Sequence, residues 1–113
     1  MAALERWKKI YPEKFADEEN VFRHIHRGDY IFVASGCGEP QYLVSSLVQY
    51  VENNPKAFFD TEIIQIYSFG IAPYTDVKSK HNFRHNSFFI GDNTRASVNS
   101  GLSDYTPVSL SDV

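Results

Sequence analysis

Tyr30-Ile31-Phe32-Val33-Ala34-Ser35-Gly36-Cys37-Gly38-Glu39-Pro40 is an apolar run that halts at two glycines and a proline, and the residues after it carry helical spacing. A strand, a tight turn and a helix in that order are the repeating unit of open α/β sheets, which place their ligand at the turn. The unbroken run 30–34 predicts a strand covered on both faces, as in parallel sheets. Gly36 and Gly38 can take positive φ and let a ligand or another backbone come close. Beyond Pro40, a natural first helical residue, Leu43, Val44, Leu47, Val48 and Val51 make one stripe that faces the sheet. Asn53-Asn54-Pro55 ends this helix, because Pro55 turns Asn54 away from helical angles. Function is therefore expected around residues 35 to 41.

Outward from this unit, elements alternate without repeats. Ala3, Leu4, Trp7, Ile10 and Tyr11 share a face, which predicts a helix over 2–11 that stops at Pro12. Asp17 is a natural N-cap for a second helix that buries Val21, Phe22 and Ile25 and leaves at Gly28. Ile63 to Tyr67 predicts a second buried strand. Ser68 to Asn86 is mostly polar, with Gly70 and Pro73, and is long for a loop in a compact domain, so it reads as functional or as the seat of a partner surface. Ser87-Phe88-Phe89-Ile90 predicts a third strand. It meets Gly91, and Asp92-Asn93-Thr94 offers N-caps for a short helix that ends at Gly101. Two such turns at the carboxyl ends of parallel strands would line one crevice. Tyr105 to Ser111 begins a further strand. A parallel strand needs a covering helix after it, so the chain is expected to be a part of something longer.

At 113 residues the chain makes one domain, small for an α/β enzyme. Hydrophobic residues at 42% and charged residues at 22% describe an ordinary globule. A net charge of −3 supplies no basic field for nucleic acid or an anionic membrane. No apolar run approaches the ~20 residues of a membrane helix, and the N-terminus lacks the apolar core of a secretory signal. One cysteine makes no internal disulfide, which points to a reducing cytoplasm.

The string Ser35-Gly36-Cys37-Gly38-Glu39-Pro40, then Phe83-Arg84-His85-Asn86-Ser87-Phe88-Phe89-Ile90-Gly91-Asp92-Asn93-Thr94-Arg95, then Asp104-Tyr105-Thr106-Pro107-Val108, resembles the acetyl-CoA hydrolase/transferase family, which includes 4-hydroxybutyrate, acetate and butyrate coenzyme A-transferases. The blocks occur in the family's order and cover nearly the whole chain. The likeness is to the N-terminal part of the first domain. It implies an α/β fold with an open, mainly parallel sheet and flanking helices, a fragment of a CoA-transferase-like (NagB/RpiA-like) domain. It also implies acyl-CoA and carboxylic acid substrates, the coenzyme A thioester being a substrate and no cofactor being tightly bound. In such enzymes a glutamate attacks the thioester, an acyl-glutamyl anhydride forms, and coenzyme A returns to give a glutamyl thioester. That glutamate and the coenzyme A-binding glycines lie in the family's C-terminal half, so this chain alone is expected to be inactive, and the missing C-terminal domain is its first partner.

The candidate substrate-binding residues are Gly36, Cys37, Gly38, Glu39, Arg84 and Asn86. Glu39, an acid beside a glycine turn at a helix start, would be a nucleophile or base if it pointed into the crevice; the preferred reading is that it orients the turn or shapes the acyl pocket. Cys37 near a helix start could be a thiolate with His81 or His85 across the crevice as base, against the plainer reading of a packing residue. His24 and His26 sit two apart on a predicted helix and cannot clasp one ion, while His81, His85 and Asp76 lack zinc spacing, so no metal is expected. Arg84 and Asn86 would suit a crevice that receives carboxylates, or Arg84 pairs with an acid and Asn86 fixes the long loop. Arg95 either meets a partner domain or lies solvated. Phe58, Phe59, Tyr67, Phe69, Phe83, Phe88 and Phe89 read as packing, with Phe69, Tyr74 and Phe83 expected to be exposed and to promote self-association into a homo-oligomer. The resemblance leaves an acyl-CoA hydrolase open beside the transferase, and two other classes stay open as well: a binding module whose turn amides cradle an anion, without GxGxxG or GKS/T patterns, and a non-catalytic interaction protein.

Overall fold

The sheet grows one strand at a time in chain order, and that single fact places everything else. In the computed structural model, which describes residues 2–113, the strands are β1 (Tyr30–Val33), β2 (Thr61–Gln65), β3 (Phe83–Ser87) and β4 (Ser103–Tyr105). All neighbours pair in parallel, in the order β1-β2-β3-β4. The helices are α1 (Ala2–Ile10), α2 (Glu18–Phe22), α3 (Gln41–Asn53) and α4 (Asp92–Asn99), with short 3-10 turns at Gly36–Gly38, Pro73–Thr75 and Val77–Ser79 among the connections.

Parallel crossovers are right-handed, so a chain that always steps in the same direction lays every connection on the same face. The core sits there: Phe22, Val33, Val44, Leu47, Val48, Val51, Phe58, Ile63, Tyr74 and Phe83 are buried together. On the reverse face Tyr30 and Phe32 are 71% and 59% exposed, in line with Glu62, Ile64, Arg84, Asn86 and Asp104. The expectation of a first strand covered on both faces is therefore corrected: among the described residues, no element packs on that side. The open α/β sheet with flanking helices is as the sequence indicated.

Boundaries moved for identifiable reasons. Asp17 does cap α2, its carboxylate accepting from the Asn20 N–H at 2.8 Å, but the helix stops at Phe22, Val21 is exposed and Gly28 (φ +78°) turns the chain well beyond the helix end. Pro40 is the cap of α3 and not its first residue, and Leu43 is left outside the buried stripe. Strand β2 begins at Thr61, two residues before the predicted run. The third strand lies at Phe83–Ser87, over the last residues of the supposed loop, and shares only Ser87 with the predicted run Ser87–Ile90. Phe83, His85 and Ser87 alternate inward, so two of the three residues that carry the period-two signal are polar side chains whose burial depends on partners. Tyr74 and Phe83 are buried, leaving Phe69 as the exposed member of the three. The fourth strand is only Ser103–Tyr105, and α4 is capped by Gly91.

His85 shows how the polar interior is wired. Ser97 Oγ donates to the Thr94 carbonyl at 2.7 Å, and Ser103 Oγ donates to Ser97 Oγ at 2.8 Å. Having spent its proton, Ser103 accepts at 2.9 Å from His85 Nδ1, which must carry the hydrogen. Nε2 is then a lone-pair acceptor without a partner among the described residues. Burial lowers the His85 pKa to about 4, partly opposed by the negative charge of Asp104. The fold thus holds a neutral imidazole, whereas the unfolded chain takes up a proton near the ordinary value of about 6.5. Stability from this group is complete above that value and is lost as pH falls towards 4, by about 3 kcal/mol. Urea midpoints followed from pH 7 to 4 should drop more steeply for the wild type than for His85→Gln; parallel curves would contradict the assignment.

Candidate functional site

At the carboxyl ends of β1, β2 and β3 the chain leaves the sheet through three loops, and these are stitched to one another. Gly36 N–H donates to the Tyr67 carbonyl at 3.3 Å, and Tyr67 N–H donates to Ser35 Oγ at 3.1 Å. Phe88 and Phe89 N–H groups donate to the Gln65 and Ile66 carbonyls at 3.0 and 2.9 Å. From the first turn of α4, Asn93 Nδ2 donates to Ser68 Oγ at 2.9 Å and to the Gly70 carbonyl at 2.6 Å.

Glu39 is the knot. Its side chain is buried, and Oε1 accepts from Gln65 Nε2 at 3.2 Å and Ser68 Oγ at 2.9 Å, while Oε2 accepts from the Phe69 and Gly70 N–H groups at 3.3 and 3.2 Å. A buried carboxyl group without such donors would cost several kcal/mol. Gln65 passes the chain onward, its Oε1 accepting from Tyr74 O–H at 2.6 Å. Burial pushes the Tyr74 phenol well above its ordinary range, and the negative charge of Glu39 adds to the effect. Gly70 is held close as well: a Cβ there would lie 1.9 Å from Gln41 Nε2, whose Oε1 accepts from Ile71 N–H at 2.9 Å.

The turn itself divides into an inner and an outer part. Gly36 sits at φ +60°, a conformation that disfavours side chains, and the ring of Phe69 packs where its Cβ would point, at 3.7 Å. Gly38 has neither constraint; a Cβ there meets only Ala34 at 3.8 Å. Cys37 and Gly38 are exposed, beside a Phe69 ring that is set edge-on to Tyr67 with centroids 4.6 Å apart.

Gly36, Cys37, Gly38 and Glu39 are thus together at one edge, with Glu39 turned inward. Arg84 and Asn86 are not with them. They project from the open face, where Arg84 Nη2 meets Asp104 Oδ2 at 2.9 Å, which raises the guanidinium pKa further, and Asn86 donates to Glu62 Oε1 at 3.2 Å and accepts from Thr106 Oγ1 at 2.9 Å. The ion-pair account of Arg84 is the one observed, and Asn86 fixes strands instead of the long loop. Cys37 has no histidine base: His85 is buried beneath the sheet, and His81 lies at the opposite end, its carbonyl accepting from Asp60 N–H before β2 begins. His24 and His26 fall outside any helix and are exposed. Among the described residues no group of three or more His, Cys, Asp or Glu could hold a metal. Arg95 is solvated, 3.3 Å from Asp92. Sequence reasoning missed Gln65, Ser68, Tyr74 and Asn93; the visible signal was Gln65, a lone amide within Ile63-Ile64-Gln65-Ile66, which once buried demands a partner.

A parallel α/β scaffold with a glycine turn and knotted loops at the strand ends belongs to the class that receives ligands at that edge. The Acetyl-CoA hydrolase/transferase N-terminal domain model matches residues 1–113, and the chain belongs to that family. It is 37% identical over 101 residues to the 4-hydroxybutyrate coenzyme A transferase of Clostridium kluyveri, covering 89% of this chain and 23% of that relative. It is 29% identical over 103 residues to the succinyl-CoA:acetate/propanoyl-CoA:succinate CoA transferase of Fasciola hepatica, covering 91% of this chain and 21% of that one. The chain therefore spans less than a quarter of the length of these relatives. The crystal structure of RipA from Yersinia pestis shares the fold, with a TM-score of 0.73, 17% identity, and coverage of 90% of this chain and 25% of that one. No helix among the described residues is long and apolar enough to cross a membrane.

Glu39→Ala removes the acceptor for four donors and should destabilise the fold by about 3 kcal/mol. Hydrogen exchange at the Phe69 and Gly70 amides should quicken ahead of exchange in β2; equal protection in the variant would show that the loop is held by other means.

Proposed function

We propose that this chain is the N-terminal part of an acyl-CoA:carboxylate CoA-transferase, and that its carboxyl-edge loops form part of the acyl pocket while the glutamate nucleophile is supplied from outside the chain. The observation that carries this reading is the state of Glu39. A turn acid committed to four hydrogen bonds is a positioning group, so an enzyme built on this edge needs its reactive carboxylate from elsewhere. The outer turn, Cys37 and Gly38, is left free to meet substrate.

The remainder of the protein is the natural partner. Among the described residues β1 pairs on one edge only, its reverse face is bare, and an apolar cleft of about 290 Å³ opens beside it between α2 and α3, lined by Val21, Phe22, Ile25, Phe32, Leu43 and Val44. Further protein covering these surfaces would bring a second wall to the glycine turn. The relatives' names suggest small carboxylic acids and their coenzyme A thioesters as substrates, and the single cysteine favours the cytoplasm as the place of the reaction. Transfer is favoured over hydrolysis because both named relatives are transferases. Arg84 and Asn86, facing away from the turn and already paired, are proposed to support the interface with the rest of the protein instead of touching substrate.

The full-length protein should exchange coenzyme A between acetyl-, butyryl- or succinyl-CoA and an added carboxylic acid, and residues 1–113 alone should not. Thiol release at the same rate without any acceptor would mark a hydrolase, and no turnover of any thioester would favour a binding or interaction module. Gly38→Val in the full-length enzyme should lower kcat/KM about tenfold or more with an unchanged melting temperature, because nothing within this chain crowds that position. Unaltered kinetics would remove Gly38 from the pocket.

A further inference from the structure

The side chain of Phe69 is fixed from behind and bare in front. Its ring lies against the left-handed Gly36, 3.7 and 3.8 Å from where a Cβ would stand, and Tyr67 meets it edge-on at 81°. Its backbone N–H is held by Glu39 Oε2 at 3.3 Å. Three independent contacts thus orient a ring that stays 72% exposed, immediately beside the free Cys37-Gly38 turn. Exposed aromatics in loops are ordinarily mobile; one braced on two sides and by its backbone is a preorganised apolar wall. Its chemistry is one-sided. Segments 33–42 and 65–75 contain no lysine or arginine, and Ile71 extends the exposed apolar surface. Such a ledge offers nothing to the phosphates of a coenzyme A moiety and suits the alkyl part of an acyl group.

We propose that Phe69 is a specificity-determining residue whose ring closes the end of the acyl pocket and limits acyl chain length. The inference rests on the transferase reading above and deepens it. Gly36 belongs to the same device: it takes the left-handed φ of +60° that side chains disfavour, and the ring rests against it, so the glycine serves the wall as well as the turn.

The test measures kcat/KM of the full-length enzyme for acetyl-, butyryl- and hexanoyl-CoA with one acceptor acid. Phe69→Ala should raise the hexanoyl-to-acetyl ratio about tenfold or more, a scale typical of pocket depth changed by a few methylenes. Phe69→Tyr should keep the wild-type ratio, and Phe69→Leu, a milder truncation should the alanine variant fold poorly, should fall between. A ratio unchanged in both truncations, or an equal fall for all three thioesters, would overturn the proposal and leave Phe69 as packing. A wild-type enzyme inactive on every thioester would overturn the parent reading and this inference with it, an outcome distinguishable from an active enzyme whose ratio does not respond.

Discussion

The Glu39 carboxylate governs the geometry of the functional edge, because a buried acid dictates where its donors must stand. Two of the four come from backbone amides at Phe69 and Gly70, one from Gln65 inside β2, and one from Ser68, which in turn accepts from Asn93 of α4. The acid therefore fixes the loop after β2 against the turn after β1 and, through one more bond, against the helix after β3. Displacing the loop after β2 would deprive the buried Glu39 and Gln65 side chains of partners, at about 1 to 3 kcal/mol for each orphan. Rigid loops at the ends of parallel strands are what a ligand site at this edge requires.

The same arrangement separates two roles that a sequence motif runs together. Glu39 follows Gly36-Cys37-Gly38 and precedes a helix, the position of a reactive acid in many turns, yet its oxygens face inward towards Gln65, Ser68 and two amides. To attack a thioester, one of its oxygens would have to give up donors to free a lone pair and leave them unpaired. Position in the chain put Glu39 beside the site; burial decided what it does there.

Strand, turn and helix over residues 30–54 were legible because Val33, Val44, Leu47, Val48 and Val51 obey simple periods and Pro55 ends the helix. The family was legible from its ordered blocks. Strand β3 was not, since its inward residues include His85 and Ser87, which read as loop until their partners Ser103 and Phe89 are in place. Apolar periodicity reports burial driven by hydrophobicity and is blind to burial stabilised by hydrogen bonds. The loops failed for a related reason: Tyr74 and Asn93 join the site through contacts that span tertiary distance, and nothing local marks them. Arg84 and Asn86 lie apart from the turn because alternation along β3 sends them to the face opposite Phe83 and His85, a separation that residue order within a motif does not carry.

The uncovered face is not uniform, and its unevenness ties the fold to the site. Towards β3 and β4 it is polar and already paired within itself, through Arg84 with Asp104 and Asn86 with Glu62 and Thr106, so contact with water costs little there. Towards β1 it is apolar, with Tyr30 and Phe32 exposed, and their row includes Ile64. Burial of apolar area contributes roughly 25 cal/mol per Å², so covering the β1 side stabilises far more than covering the β4 side. That side is also where the next strand could pair and where the apolar cleft opens. The strongest drive to bury surface thus lies next to the glycine turn. A layer added there would complete the sheet and enclose the turn in one step, which is how a ligand crevice arises where winding reverses in an open α/β sheet.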